Sequence, residues 1–154
     1  MGEIREREQA AEILFPPPSA IRASIKLVSG KLVPLLDLSG VASGTIDDMI
    51  IDGHGRIYVG DLGFDLADIA SASHENGQLI LVGPDGTAKI VAQGLRFPNG
   101  IAVTADEQCL VVAESDGNCL ARFEIRPDGS LQFCERFGNF HEPDGICLDR
   151  EGTV

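Results

Sequence analysis

Asp47, Asn99 and Asp144 are the residues of this chain whose types and placement could do chemistry together. Each is followed by Asp or Gly, then by three mostly apolar residues, a polar residue and a turn. The three stretches are Asp47-Asp48-Met49-Ile50-Ile51-Asp52, Asn99-Gly100-Ile101-Ala102-Val103-Thr104 and Asp144-Gly145-Ile146-Cys147-Leu148-Asp149. The spacings are 52 (99 minus 47) and 45 (144 minus 99) residues. Carboxylate and amide oxygens are the ligands that hard divalent cations take. A cation held by them can polarise a carbonyl oxygen or activate water, and a carboxylate beside it can act as general base. An isolated Asp or Asn ahead of a strand more simply caps a turn. Three of them in register, in successive units, read as a convergent site.

A self-similar period of roughly 40 to 50 residues is what four-stranded propeller blades give. The local patterns agree. From residue 20 onward apolar and polar residues alternate with period two, the mark of a half-buried strand. Ile21, Ala23 and Ile25 open the pattern, and 32–36 continues it. One complete unit has strands at 49–51, 56–60, 78–82 and 88–91, and a second has them at 100–103, 109–113, 119–125 and 131–135. The hairpins Pro84-Asp85-Gly86 and Pro127-Asp128-Gly129 are strong turn signals, since proline presets φ and glycine accepts positive φ. A further unit begins at Asp144. The expectation is an all-β chain of about two and a half to three blades, cut in mid-blade at both ends. Propeller rings typically close with four to eight blades. An open arc presents strand edges that invite pairing, so self-association or a second chain would complete the ring. Because the first strand of each blade lines the central channel, Asp47, Asn99 and Asp144 are expected to converge at its mouth.

Residues 1–18 stand outside this pattern. They are rich in Glu, Arg and Ala up to Ile13 and end in Pro16-Pro17-Pro18, where proline stops a helix. We read 1–18 as a charged, proline-rich tail and 19–154 as the partial propeller.

Composition narrows the partners. The chain has 154 residues, 24 acidic against 12 basic, for a net charge of −12. That balance argues against nucleic acid, whose phosphates need Lys and Arg, and against an anionic membrane surface. No apolar run approaches the ~20 residues of a membrane span, and the charged start of the chain lacks the apolar core of a signal peptide. Cytoplasm is the expected compartment. Cys109, Cys119, Cys134 and Cys147 form no C-x-x-C pair, which argues against a zinc finger. All four are expected to be reduced and in or near the core. There is no G-x-S-x-G for a serine nucleophile and no phosphate-binding G-x-x-x-x-G-K. His54 falls in a turn, His74 in the long connection between the second and third strands of its unit, and His141 on the expected rim.

The segments D-D-M-I-I-D-G-H-G-R-I-Y-V-G-D-L-G-F-D, F-P-N-G-I-A-V-T-A-D, L-V-V-A-E-S and E-P-D-G-I-C-L-D-R-E-G resemble the SMP-30/gluconolactonase/LRE-like family. The resemblance covers about residues 20 to 154 and only the middle of the family's chain. It implies a six-bladed propeller that hydrolyses sugar lactones or similar small lactones and esters with one divalent metal ion, Ca, Zn, Mn or Mg. It implies that Asn99 is a metal ligand and that Asp144 is both metal ligand and catalytic base. The family's R-x-N-D motif is matched by Thr45-Ile46-Asp47-Asp48, so Asp47 takes the place of a substrate-contacting Asn and Thr45 that of an Arg. The family's first metal ligand, a Glu in an E-G-P-x-W motif, has no counterpart, and the chain contains no Trp. Two readings follow: a lactone hydrolase acting as a partial chain, or a propeller fragment or binding module without catalysis.

Overall fold

A computed structural model describes residues 23–28, 31–70, 72–149 and 152 of the chain. The tail at 1–18 and the start of the first predicted strand, Ile21, lie outside the described residues. Ten strands follow one another: β1 (Ala23–Val28), β2 (Lys31–Asp37), β3 (Ile46–Ile51), β4 (Ile57–Asp61), β5 (Gly77–Val82), β6 (Ala88–Leu95), β7 (Pro98–Val103), β8 (Cys109–Glu114), β9 (Cys119–Ile125) and β10 (Leu131–Phe137). One short 3-10 turn, Leu66–Asp68, lies in the connection from β4 to β5. Among the described residues no helix is long and apolar enough to cross a membrane.

The strands pair strictly in chain order. β1 and β2 form a hairpin, β3-β4-β5-β6 a four-stranded antiparallel sheet, and β7-β8-β9-β10 another. Each four-stranded sheet is a meander of the kind that makes a propeller blade. Every predicted strand in the two complete units is present, several of them longer than the alternation alone indicated. The middle strands are buried on both faces: Leu79, Ile80, Leu81 and Val82 of β5 are all inaccessible, as are Leu110 to Ala113 of β8. A strand covered on both sides reads as a continuous apolar run, which is how Leu79-Ile80-Leu81-Val82 and Leu110-Val111-Val112-Ala113 read in the sequence.

The largest apolar cluster fills the space between the two sheets. Tyr58, Leu79, Leu81 and Leu95 from the first meet Ile101, Leu110, Val112, Ala121, Phe123 and Ile125 from the second. The outer face of the first sheet packs Val59, Ile80 and Val82 on Leu38 and on Leu36 of β2. On the far face of the second, Val111, Ala113 and Leu120 are met by Phe137 and Ile146. Polar bonds reinforce the junction between the sheets. The Tyr58 hydroxyl donates to the Gly129 carbonyl at 3.0 Å, and Arg56 Nη1 donates to the Pro127 carbonyl at 3.0 Å. The buried Arg56 is held by Asp52, Nε to Oδ2 at 2.6 Å. On the same side of the disc, Glu107 accepts from the Gly53 N–H at 2.6 Å and faces His54 Nδ1 at 2.8 Å.

The cysteine expectation needs correction. All four are free, as expected, but Cys134 and Cys147 are exposed. Cys134 sits at a register shift in β10, and Cys147 lies in a segment with no strand of its own. That segment, starting at Asp144, runs beside β7, where the Gly100 N–H donates to the Asp144 carbonyl at 3.2 Å.

Candidate functional site

Asp47 and Asn99 sit inside strands rather than ahead of them, because both inner strands are bulged. Along β3 the pairing steps from Ile46↔Asp61 to Met49↔Val59, so three residues advance against two. Along β7 it steps from Pro98↔Glu114 to Ile101↔Val112 in the same way. A bulge of one extra residue re-aims side chains locally. Here Asp47-Asp48 occupy the first and Asn99-Gly100 the second. Polar pairs of this kind look like turns in a sequence, which is why the strands were expected to begin only after them.

The bulges join the two blades. The Asp48 carboxylate, freed from its own sheet, accepts from the Ile101 N–H at 2.9 Å. On the other side of β7 the Asp144 segment passes over Gly100. A Cβ at Gly100 would lie 2.6 Å from the Asp144 carbonyl oxygen and 2.8 Å from Gly145 Cα, so only glycine permits this approach. β7 is thus flanked by Asp47-Asp48 on one side and Asp144 on the other. Asp47, half-buried, is pushed up to about 6 by loss of solvent first, and then by the charges of Asp48 and Asp144. Asn99 is half-buried and Asp144 exposed.

Each bulge is backed by a buried acid that the sequence reading did not single out. Asp61, wholly inaccessible, ends β4 opposite Ile46. It accepts from the N–H groups of Ser43, Gly44 and Gly63 at 2.7, 2.9 and 2.9 Å, and from Gln78 Nε2 at 2.7 Å. Glu114, also wholly inaccessible, ends β8 opposite Pro98. It accepts from the Arg96 N–H at 2.7 Å and pairs with Arg136 Nε at 2.6 Å. Both acids satisfy backbone donors of the chain leading into a bulged strand. Their signal in the sequence was an acid closing an apolar run in equivalent places, Val59-Gly60-Asp61 and Val112-Ala113-Glu114.

The same end of the blades carries a polar and aromatic wall. The His74 ring stacks on Phe64 with centroids 4.7 Å apart, and Phe97 meets both rings edge-on. Phe97 has φ 55, a left-handed conformation that costs a non-glycine residue energy and gathers at functional sites. His74 Nδ1 is paired with Asp116 of the other blade, and Nε2 is 2.9 Å from the Ile69 carbonyl. Both ring nitrogens face oxygen acceptors, an arrangement that favours the protonated ring. The Ile69 carbonyl, followed by the Asp116 carboxylate, raises its pKa. Thr45 Oγ1 accepts from the Leu66 N–H at 3.0 Å and so holds the same connection. Of the other histidines, His54 pairs with Glu107 on the opposite side, and His141 is almost fully exposed.

The donors gathered along β7 suit a hard cation in kind: an amide oxygen and carboxylates. Burial, followed by the charges of Asp48 and Asp144, raises Asp47 there. Among the described residues, no three His, Cys, Asp or Glu side chains gather closely enough to hold a metal ion. The donor types therefore suit only part of a coordination sphere.

The model of the SMP-30/Gluconolactonase/LRE-like region matches residues 11–154. The chain belongs to that family. It is 30% identical over 117 residues to lactonase drp35 of Staphylococcus haemolyticus, covering 71% of this chain and 34% of that protein. It is 28% identical over 113 residues to pentonolactonase XacC of Haloferax volcanii, covering 70% of this chain and 36% of that one. Among solved structures, a gluconolactonase from Xanthomonas campestris superposes with a TM-score of 0.66 at 27% identity, over 85% of this chain and 47% of that one. The chain thus spans about a third of the length of the curated relatives it matches.

Proposed function

We propose that this chain forms part of a metal-dependent hydrolase of sugar lactones or similar small lactones. The observation that supports the reading is that Asn99 lies on β7 while Asp47 of β3 and the Asp144 segment flank that strand, with Asp47 raised to about 6 by burial and then by the charges of Asp48 and Asp144. Relatives named as lactonases support the substrate class. Asn99 and Asp144 would hold one divalent cation, Ca, Zn, Mn or Mg, which when bound supplies Lewis-acid polarisation of the lactone carbonyl. The Asp144 carboxylate takes a proton from the attacking water as its oxygen bonds to the carbonyl carbon. The ring C–O bond then breaks, the ring oxygen is protonated, and a hydroxy acid leaves. Asp47 contacts substrate hydroxyls. The two four-stranded sheets are read as blades of a six-bladed ring.

A second reading is favoured by the lack of three clustered acidic, histidine or cysteine ligands among the described residues. On it, the chain keeps the blades and binds without catalysing. One experiment separates the two: hydrolysis of a sugar δ-lactone with calcium, manganese or zinc, then with chelator. Turnover that needs the ion and disappears in Asp144→Asn supports the enzyme. A folded chain with no turnover under any ion supports the binding module.

A further inference from the structure

We infer that Ser115 sets which way the Asn99 amide faces and is a positioning residue for the proposed ligand set. The inference rests on the reading of Asn99 and Asp144 as ligands and goes beyond it. An asparagine amide has one end that can meet a cation, Oδ1, and one that repels it, the NH2 group, and a half-turn about its last bond exchanges them. A serine hydroxyl has one proton and two lone pairs. Ser115 Oγ lies 2.7 Å from the Pro143 carbonyl oxygen. That oxygen can only accept, so the hydroxyl proton is committed to it. Toward Asn99, at 3.3 Å, Ser115 then presents only lone pairs. The atom of Asn99 that faces it must be Nδ2, and Oδ1 is turned to the opposite side.

The Ser115 backbone that carries the hydroxyl is itself held at both its N–H and its carbonyl. The Ser115 N–H donates to the Phe97 carbonyl at 3.1 Å, and the Ser115 carbonyl accepts from the Asn118 N–H at 3.2 Å. One hydroxyl therefore ties the Asn99 side chain to Pro143, the residue before Asp144, and so links two candidate ligands carried by successive units. Outer partners that fix a ligand's orientation typically change metal affinity by about ten- to a hundred-fold when removed.

The test compares Ser115→Ala and Ser115→Thr in the full chain, each with Asn99 intact and with Asn99→Asp. Calcium or manganese affinity is read by calorimetry. Without metal, hydrogen exchange of the Asn99 side-chain NH2 is read by NMR. The expected result is an affinity loss of about ten- to a hundred-fold for Ser115→Ala, restoration by Ser115→Thr, and faster exchange of the Asn99 NH2. In the Asn99→Asp background Ser115→Ala should cost little, since a carboxylate presents the same atoms either way round. Equal losses in both backgrounds, or unchanged NH2 exchange in Ser115→Ala, would overturn the inference. Should the unaltered chain bind no divalent ion, the ligand reading of Asn99 and Asp144 fails, and the NH2 exchange alone decides the role of Ser115.

Discussion

Asp47 shows how one half-buried carboxyl can weaken a fold. Its carboxyl is raised from 3.8 to about 6 in the folded chain. A native state that holds a proton more tightly than the unfolded one gains stability below the lower value and loses it as pH rises through the higher. Asp47 therefore opposes folding at neutral pH, by on the order of 1 kcal/mol once solvent screening is allowed for. Asp47→Asn should stabilise the metal-free chain by that amount near neutrality. The advantage should shrink as the pH is lowered from 6 toward 3.8, as read by denaturant unfolding in chelator. Asp61 behaves in the opposite sense. It satisfies three backbone N–H groups and the Gln78 amide, and an amide in its place turns a donor toward donors. Asp61→Asn should cost about 2–4 kcal/mol, seen as a lower unfolding midpoint with an unchanged denaturant slope.

At the level of elements, the inner strands depend on bulges and on clamps between blades. One clamp, His74 with Asp116, joins the β4–β5 connection to the turn after β8. The ring nitrogens face the Ile69 carbonyl and the charged Asp116 carboxylate. An imidazole whose pKa is raised by folding adds stability in full below its unfolded value near 6.5, and that stability goes as pH climbs through the folded value. The stability difference between the unaltered chain and His74→Gln should therefore shrink as pH rises above the ordinary imidazole value, measured by thermal unfolding across a pH series. Much at this scale was legible in the sequence. Alternation placed every strand of the two complete units, and Pro-Asp-Gly placed their last hairpins. The starts of β3 and β7 were not legible, because Asp47-Asp48 and Asn99-Gly100 carry turn residues that here serve as bulges. His74 with Asp116 was not legible either, since a pair 42 residues apart leaves no local mark. Asp47, Asn99 and Asp144 were legible as a set because the repeat puts them in register. The hydroxyl between Asn99 and Pro143 was hidden because Ser115 reads as an ordinary turn residue.

Across the whole molecule, stability rests on a core shared between sheets. Leu110 is inaccessible and belongs to the cluster between the two blades. Leu110→Ala should cost about 2–5 kcal/mol and should lower the protection of β4–β5 amides as well as those of β8–β9, as read by hydrogen exchange. If only the second blade loosens, the blades are separate folding units. The family was legible from four short segments because they cover the bulges and the strands behind them, the parts that the geometry constrains most. The strictly sequential pairing from β1 to β10 has one more consequence. Every ladder closes between segments joined by a short or moderate loop, so no strand has to wait for a distant partner. Local pairings of this kind form early and leave few exposed intermediates. As the chain leaves the ribosome, each blade can complete its own ladder before the next is synthesised, and the finished face then templates the one that follows.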